Sequence, residues 1–223
     1  IVQRFASLAT LFYLLTLFLF IRWQLSSRRK FFYIGSLLCS LLALKTKEIA
    51  FTIPLALWVY DCCFFHSSRS RRLYALLPFA LACLIVPLSY LATSGSNAGF
   101  FEQAASESKV LTDMPRSTYL FTELRVIVTY IRLLFVPIHQ NFDYDYPLYS
   151  SFWNLPVILS FFFLATLLTI GILFLRRSNT GDTRLRLISF GIFWFFLTLL
   201  SESGLIPIVD VIYEHRLYLP SMG

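Results

Sequence analysis

Long apolar runs are the feature that most restricts what this chain can fold into. Six of them follow one another along the sequence, at residues 5–21, 31–44, 49–60, 73–92, 155–175 and 187–206. A helix needs roughly 20 mostly apolar residues to cross a bilayer, and shorter runs can cross when flanking lysine or arginine side chains extend to the interface. The pattern predicts an all-α, polytopic transmembrane bundle of about six spans, with the start of a seventh at residues 219–223.

The composition excludes an ordinary soluble domain. Of the 223 residues, 57% are hydrophobic and 14% are charged, and a soluble domain of this size could not bury that much apolar side chain. Both chain ends fall within apolar patterns, and no Met or signal peptide opens the sequence. We therefore expect a fragment, residues 1–223, of one integral, multi-pass membrane domain.

The basic residues predict the orientation. More than half of the 19 Lys and Arg residues lie in three short loops between predicted spans, at residues 22–30, 66–72 and 176–186. Alternate spans place these loops on one side, which the positive-inside rule makes cytoplasmic. The net charge of +7 is thereby explained without a nucleic-acid partner. The outer face then receives all of the 12 acidic residues except Asp61 and Asp182.

The four cysteines predict neither a disulfide framework nor a metal site. Cys39, Cys62, Cys63 and Cys83 lie in or beside apolar runs, which favours buried free thiols. Cys62 and Cys63 together with His66 do not have the spacing of usual zinc ligands. No metal and no resident cofactor is therefore expected.

A polar segment, residues 93–154, is expected on the outer face. Residues 93–116 carry Gly, Ser and Glu and read as an exposed loop. Over residues 117–136, polar side chains recur at steps of three and four opposite an apolar face, which predicts an amphipathic helix. The polar members are Thr122, Arg125, Thr129 and Arg132. This helix is expected to lie in the interface, because a crossing would move the basic loop 176–186 to the outer side.

The stretch HQNFDYDYP at residues 139–147 suits ligand recognition. Asp143 and Asp145 alternate with tyrosines, so an extended strand would present the acids on one side and the rings on the other. Such a surface fits a sugar, whose hydroxyl groups donate to acids and whose faces stack on rings. It fits equally well an aromatic belt at the membrane interface.

The end of the chain, DVIYEHRLYLPSMG at residues 210–223, indicates an anion site. Arg216 adds a fixed charge just before a predicted helix start at Pro220, where exposed N–H groups attract a phosphate. The other interpretation is an interfacial loop that only anchors the helix. Lys47 and Glu48, at the tip of the second hairpin, are either further polar contacts or part of a solvated turn.

Three stretches of the sequence resemble one family. They are KTKEIAFTIPLALWVYD (residues 45–61), YLFTELRVIVTYIRLLFVPIHQNFDYDYP (residues 119–147) and YEHRLYLPSMG (residues 213–223). In this order they resemble the membrane half of the TMTC-type protein O-mannosyltransferases. They look closest to the bacterial relatives in that family, which usually carry tetratricopeptide repeats after the membrane region.

The resemblance implies a GT-C type glycosyltransferase. Its sugar donor is carried on a polyprenyl phosphate, and transfer to a protein or glycan hydroxyl takes place at the outer or lumenal face. The donor phosphate is expected at Arg216, Tyr218 and Pro220, with Lys47 as a second candidate. Candidates for sugar or acceptor contacts are Glu48, Asp143, Asp145, Glu214 and His215. The general base, an aspartate in the family's first outer loop, is expected upstream of this fragment, and a bacterial inner membrane is favoured over the endoplasmic reticulum.

Two other functions stay open at this point. A transporter or lipid flippase would use Glu48, Glu202 and Arg216 to line a path across the membrane. A non-catalytic anchor for downstream repeat domains would leave the polar outer segments without a purpose. A cavity open to both sides would favour the transporter, whereas a cleft open only outward and toward lipid would favour the enzyme.

Overall fold

A computed structural model of the chain describes residues 4–26, 29–65, 68–85, 114–138, 141, 144, 146–177, 183–201 and 211–223. These residues form helices, turns and connecting coil, and no strand occurs among them, which confirms the all-α prediction. The chain divides into two compact units, Ile1–Ser96 and Asn97–Gly223.

The described part of the first unit contains four α-helices. They are α1 (Arg4–Leu25), α2 (Arg29–Thr46), α3 (Ile53–Tyr60) and α4 (Arg69–Cys83). α1 packs along α2, and α4 contacts both α2 and α3. A 3-10 turn (Glu48–Thr52) precedes α3 and a π-helical turn (Asp61–Phe65) follows it, so one continuous helical run extends from Glu48 to Phe65.

Polar side chains connect these apolar helices. The hydroxyl groups of Tyr13 in α1 and Thr52 lie 2.9 Å apart, and the Ser36 hydroxyl of α2 donates to the Thr16 carbonyl at 2.8 Å. Small residues and hydrogen bonds are what hold helices together where apolar burial against lipid provides no driving force.

Asp61 forms a buried charged contact in the first unit. Its side chain accepts hydrogen bonds from Arg72 Nε at 2.6 Å and from Gln24 Nε2 at 3.1 Å. The Asp61 side chain is 2% exposed and that of Arg72 is 19% exposed. A buried carboxylate requires such a partner because an unpaired buried charge is costly.

The described part of the second unit contains α5 (Arg116–Phe135), α6 (Leu155–Arg177) and α7 (Thr183–Leu199). α6 packs against both α5 and α7. Two short 3-10 turns follow: Glu214–Leu217 contacts α5, and Pro220–Met222 contacts α7. The apolar core of this unit therefore joins α5, α7 and the segment 211–217. Its buried members are Val126, Tyr130, Leu133, Phe195, Leu199, Val211, Ile212 and Leu217.

Three described helical segments are long and apolar enough to cross a membrane, namely Arg4–Leu25, Glu48–Phe65 and Leu155–Arg177. They agree with a membrane protein and do not account for six or seven spans. α2, α4 and α7 cover the described parts of the other three predicted spans. Charged residues at their ends shorten the apolar stretch, as Lys30 and Lys45 do in α2.

α5 matches the predicted amphipathic helix in position but buries a different face. Its buried side chains are Tyr119, Thr122, Glu123, Val126, Tyr130 and Leu133. Thr122, which was assigned to the polar face, is buried. Its hydroxyl donates to the Thr118 carbonyl and accepts from the Tyr149 amide, so its polar group is satisfied there. The buried face of α5 is the one that packs against neighbouring elements, even though it is not the most apolar face of the helix.

Candidate functional site

The candidate site lies in the second unit, where segment 211–217 packs on α5. The Tyr130 hydroxyl donates to the Tyr213 carbonyl at 3.1 Å and accepts from the Tyr213 N–H at 2.9 Å. These two residues are 83 positions apart in the chain. Two stretches that are distant in sequence thus meet through a reciprocal pair of hydrogen bonds.

Arg216 is the buried cation of this site. The residue is 4% exposed, and its Nη1 lies 3.7 Å from Glu123 Oε1 on α5. The same nitrogen donates to the Val211 carbonyl at 3.1 Å, and the guanidinium carbon lies 5.4 Å from the Tyr213 ring centroid. A negative partner, a carbonyl oxygen and a ring face together compensate a charge that has lost its water.

Tyr119 adds a third polar group to this buried centre. It lies one helical turn before Glu123 and is 1% exposed. Burial raises the pKa of Tyr119, and the negative charge of Glu123 raises this pKa further, whereas Arg216 lowers it. The phenol therefore stays protonated at neutral pH and can donate a hydrogen bond.

Glu214 connects the chain end to the segment after α5. Its Oε1 accepts a 2.6 Å hydrogen bond from the Tyr144 hydroxyl and a 2.9 Å bond from the Asn141 N–H. Burial raises the pKa of Tyr144, and the hydrogen bond to Glu214 raises it further. Glu214 thus holds Asn141 and Tyr144 near the 3-10 turn that carries Arg216.

A cleft of about 410 Å³ lies between α5 and the described residues that follow it, Tyr144 and 146–149. We call it the Arg–Tyr cleft after its main residues. Its lining consists of Arg125, Val128, Thr129, Arg132, Tyr144, Tyr146, Pro147 and Tyr149. The hydroxyl groups of Thr129 and Tyr146 lie 3.0 Å apart and join the two walls. The cleft combines positive charge with aromatic surface.

The comparisons with known proteins identify no relative. No family model, curated protein or solved structure matches this chain. Its function has to be argued from the site itself.

The structure places the predicted site residues in two different units. Lys47 and Glu48 lie in the first unit, at the start of the 3-10 turn that follows α2. Lys47 is half-buried with an extended backbone, and Glu48 is exposed. Arg216 belongs to the second unit. The predicted proximity of Lys47 to Arg216 stays a prediction.

The other predicted residues differ in their surroundings. The His215 ring lies 5.0 Å from the Tyr213 ring between centroids. Tyr218 is 47% exposed, and Pro220 begins a short 3-10 turn, Pro220–Met222. Asp143, Asp145 and Glu202 lie outside the described residues.

Sequence reasoning did not single out Glu123 and Tyr119, and it named Arg125 and Arg132 only as members of the polar face of α5. Glu123 and Tyr119 form the buried centre with Arg216, while Arg125 and Arg132 line the cleft. Glu123 carried a usable signal, because it is the one acidic residue in the sequence of α5, a helix that is largely apolar. Such an acid is expensive to bury without a cation, and so predicts one nearby.

Proposed function

We propose that this chain forms part of a membrane glycosyltransferase that moves a sugar from a polyprenyl-phosphate donor to a hydroxyl group of a protein or glycan. The membrane domain has about six spans and the start of a seventh, and the reaction takes place at the outer face. A bacterial inner membrane is the favoured location.

One observation carries the proposal. The two stretches with the more specific family resemblance, residues 119–147 and 213–223, assemble into one polar site in the second unit. The Glu123–Arg216 ion pair joins them at its centre, and the Tyr144–Glu214 hydrogen bond joins them again at its edge. Two stretches that resemble a family's motifs by chance would have no reason to contact each other. In this structure, described residues of the two stretches are in contact.

The proposed reaction is a direct displacement at the anomeric carbon. The acceptor hydroxyl oxygen forms a bond to that carbon while the bond from the carbon to the phosphate oxygen breaks. The phosphate leaves with the electron pair, and the proton of the hydroxyl passes to a general base. By the family resemblance this base is an aspartate of the family's first outer loop. Fixed cations stabilise the charge that develops on the leaving phosphate.

The predicted membrane topology is compatible with a site at the outer face. The positive-inside rule places the basic loops 22–30, 66–72 and 176–186 in the cytoplasm. The same parity places α5 and segment 211–217 on the opposite side. A lipid-linked donor reaches such a site from within the bilayer.

The function is tested by transfer of a labelled sugar in membranes that contain the full-length protein. The donor is a polyprenyl-phosphate-linked mannose, and the acceptor is a Ser/Thr-rich peptide. Replacing Arg216 with Ala is expected to abolish transfer, and Arg176→Ala, which removes an exposed arginine at the end of α6, is expected to leave the rate unchanged. The site assignment is rejected if both variants transfer at the wild-type rate, and the function if the wild-type protein shows no transfer.

A charge swap separates a direct role of Arg216 from a structural one. Glu123→Arg combined with Arg216→Glu keeps an ion pair in the same place, so the fold is expected to survive. If the Arg216 guanidinium itself contacts the donor phosphate, the folded double variant stays inactive. Recovered transfer would instead assign Arg216 to holding the chain end in place.

A further inference from the structure

The Arg–Tyr cleft is positively charged, because the described residues that line it include two arginines and no acidic residue. Arg125 and Arg132 are seven positions apart on α5, and Thr129 lies between them on the same helical face. Arg125 is half-buried and Arg132 is exposed. Among the described residues that line the cleft, these two arginines are the charged groups.

The two cleft arginines differ from Arg72 and Arg216 in their contacts. Arg72 and Arg216 pair with Asp61 and Glu123. Within the part of the chain that the structure describes, neither Arg125 nor Arg132 forms an ion pair or a side-chain hydrogen bond. Their guanidinium groups retain donors for a ligand.

The tyrosines supply the second component of a binding site. Burial raises the pKa of Tyr146, while its hydrogen bond to Thr129 and the positive charges of Arg125 and Arg132 lower it, and the net shift is upward. Tyr144 also has a raised pKa because of burial. Both phenols are therefore protonated at neutral pH. The Tyr144 hydroxyl donates to Glu214 and the Tyr146 hydroxyl is hydrogen-bonded to Thr129, so the tyrosines offer a ligand their ring surface.

The cleft also has a suitable size. Its volume of about 410 Å³ falls within the range of roughly 300–1,000 Å³ that is usual for small-molecule sites. The Tyr149 backbone N–H is fixed to the Thr122 hydroxyl at 3.0 Å, so this wall of the cleft is anchored to α5. Two planar guanidinium forks beside tyrosine rings match a phosphate oxygen cluster attached to an organic group.

We propose that the Arg–Tyr cleft binds a phosphate ester through Arg125 and Arg132, with the tyrosine rings in contact with the group that carries the phosphate. A soluble phosphate compound and a lipid headgroup share this chemistry. Phosphate binding by the cleft does not depend on the proposed function. Only the identification of the bound phosphate as that of the lipid-linked donor rests on it.

The test measures binding to the full chain purified in a neutral detergent without sugar groups. The first probe is inorganic phosphate, and the second is a phosphatidylcholine vesicle that contains phosphatidic acid, compared with a pure phosphatidylcholine vesicle. Arg125→Gln and Arg132→Gln are each expected to weaken binding about tenfold, which corresponds to the loss of one charge-assisted hydrogen bond. Arg116→Gln is the matched control, because Arg116 is an exposed arginine of α5 outside the cleft lining.

The two probes separate the sources of the ligand. Saturable binding of inorganic phosphate that is weakened in Arg125→Gln and Arg132→Gln supports a soluble phosphate ester. The same pattern with phosphatidic acid vesicles alone supports a lipid headgroup. Thermal unfolding checks that each variant is folded, and Arg132→Gln, at an exposed position, carries the test if Arg125→Gln does not fold.

Two results would overturn the proposal: no binding of either probe, or equal affinities of all three glutamine variants for both probes. Neither result depends on sugar transfer. Absence of transfer in the wild-type protein would reject the proposed function while a positive binding result stands. Active sugar transfer together with unchanged phosphate affinity in the variants would reject phosphate binding in the cleft and leave the proposed function in place.

Discussion

At the residue scale, Glu123 and Arg216 determine the polar centre of the second unit. Both side chains are nearly inaccessible, at 3% and 4% exposure, so each charge depends on the other for compensation. A buried ion pair contributes little net stability compared with an apolar pair, but removal of one partner leaves an uncompensated charge. The pair therefore specifies which position of α5 the chain end docks against.

We predict that Glu123→Gln destabilises the protein by about 3–5 kcal/mol, since Arg216 would keep its charge in a buried environment without its negative partner. Chemical unfolding in neutral detergent measures the effect. Glu48→Gln serves as the control, because Glu48 is exposed, and is expected to behave like the wild-type protein. Equal stabilities of both variants would contradict the interpretation of Glu123.

At the element scale, α5 uses two adjacent faces for two purposes. One face carries Tyr119, Glu123 and Tyr130 and packs against the chain end. The next face carries Arg125 and Arg132 and lines the Arg–Tyr cleft. A shift of the chain end along α5 would therefore change the cleft as well, because Glu214 holds Tyr144, which is part of the cleft lining.

Tyr130→Phe tests how the chain end is held on α5. The substitution removes the hydroxyl that bonds both the N–H and the carbonyl of Tyr213. We expect a loss of roughly 1–3 kcal/mol, because backbone groups lose their partner in a buried place. Hydrogen exchange of the Tyr213 amide should become faster, whereas Tyr218→Phe, at a half-exposed side chain, should leave this exchange unchanged. Unaltered exchange in Tyr130→Phe would show that other contacts hold the segment.

At the scale of the whole molecule, the distribution of charge predicts which parts face the cytoplasm. Three described segments are long and apolar enough to cross a membrane. The parity of the predicted spans then assigns the turn after α2 to the outer side and the start of α4 to the cytoplasm.

Labelling of single cysteines tests this topology. In a variant whose four native cysteines are replaced by alanine, Lys45→Cys is expected to react with a membrane-impermeant maleimide added outside intact cells. Arg69→Cys is expected to react only after the cells are opened. Both positions are exposed, so access within the protein does not limit the reaction. The reverse pattern would invert the topology and remove the outer-face site.

Much of the fold was predictable because helix formation and membrane class depend on local information. The helix α5 was expected at residues 117–136 and is found at Arg116–Phe135. The run predicted at residues 155–175 is found as Leu155–Arg177. Apolar run length and helical periodicity belong to neighbouring residues, so a window of sequence contains them.

The candidate site was predictable only in part. Arg216 was recognised as a cation of interest, and the polar face of α5 included both cleft arginines. The apolar pattern did not predict that Thr122 is buried or that Tyr146 bonds to Thr129. Both depend on where the segment after α5 returns to the helix.

The sequence by itself determined that this protein is helical and suited to a membrane, since the hydrophobicity of adjacent residues decides both properties. Only the tertiary structure decided that Glu123 is the partner of Arg216, and that Arg125 and Arg132 share a cleft with three tyrosines. The strength of a charge interaction depends on the distance between groups in space. The groups come close only when folding brings together residues more than 80 positions apart, such as Tyr130 and Tyr213.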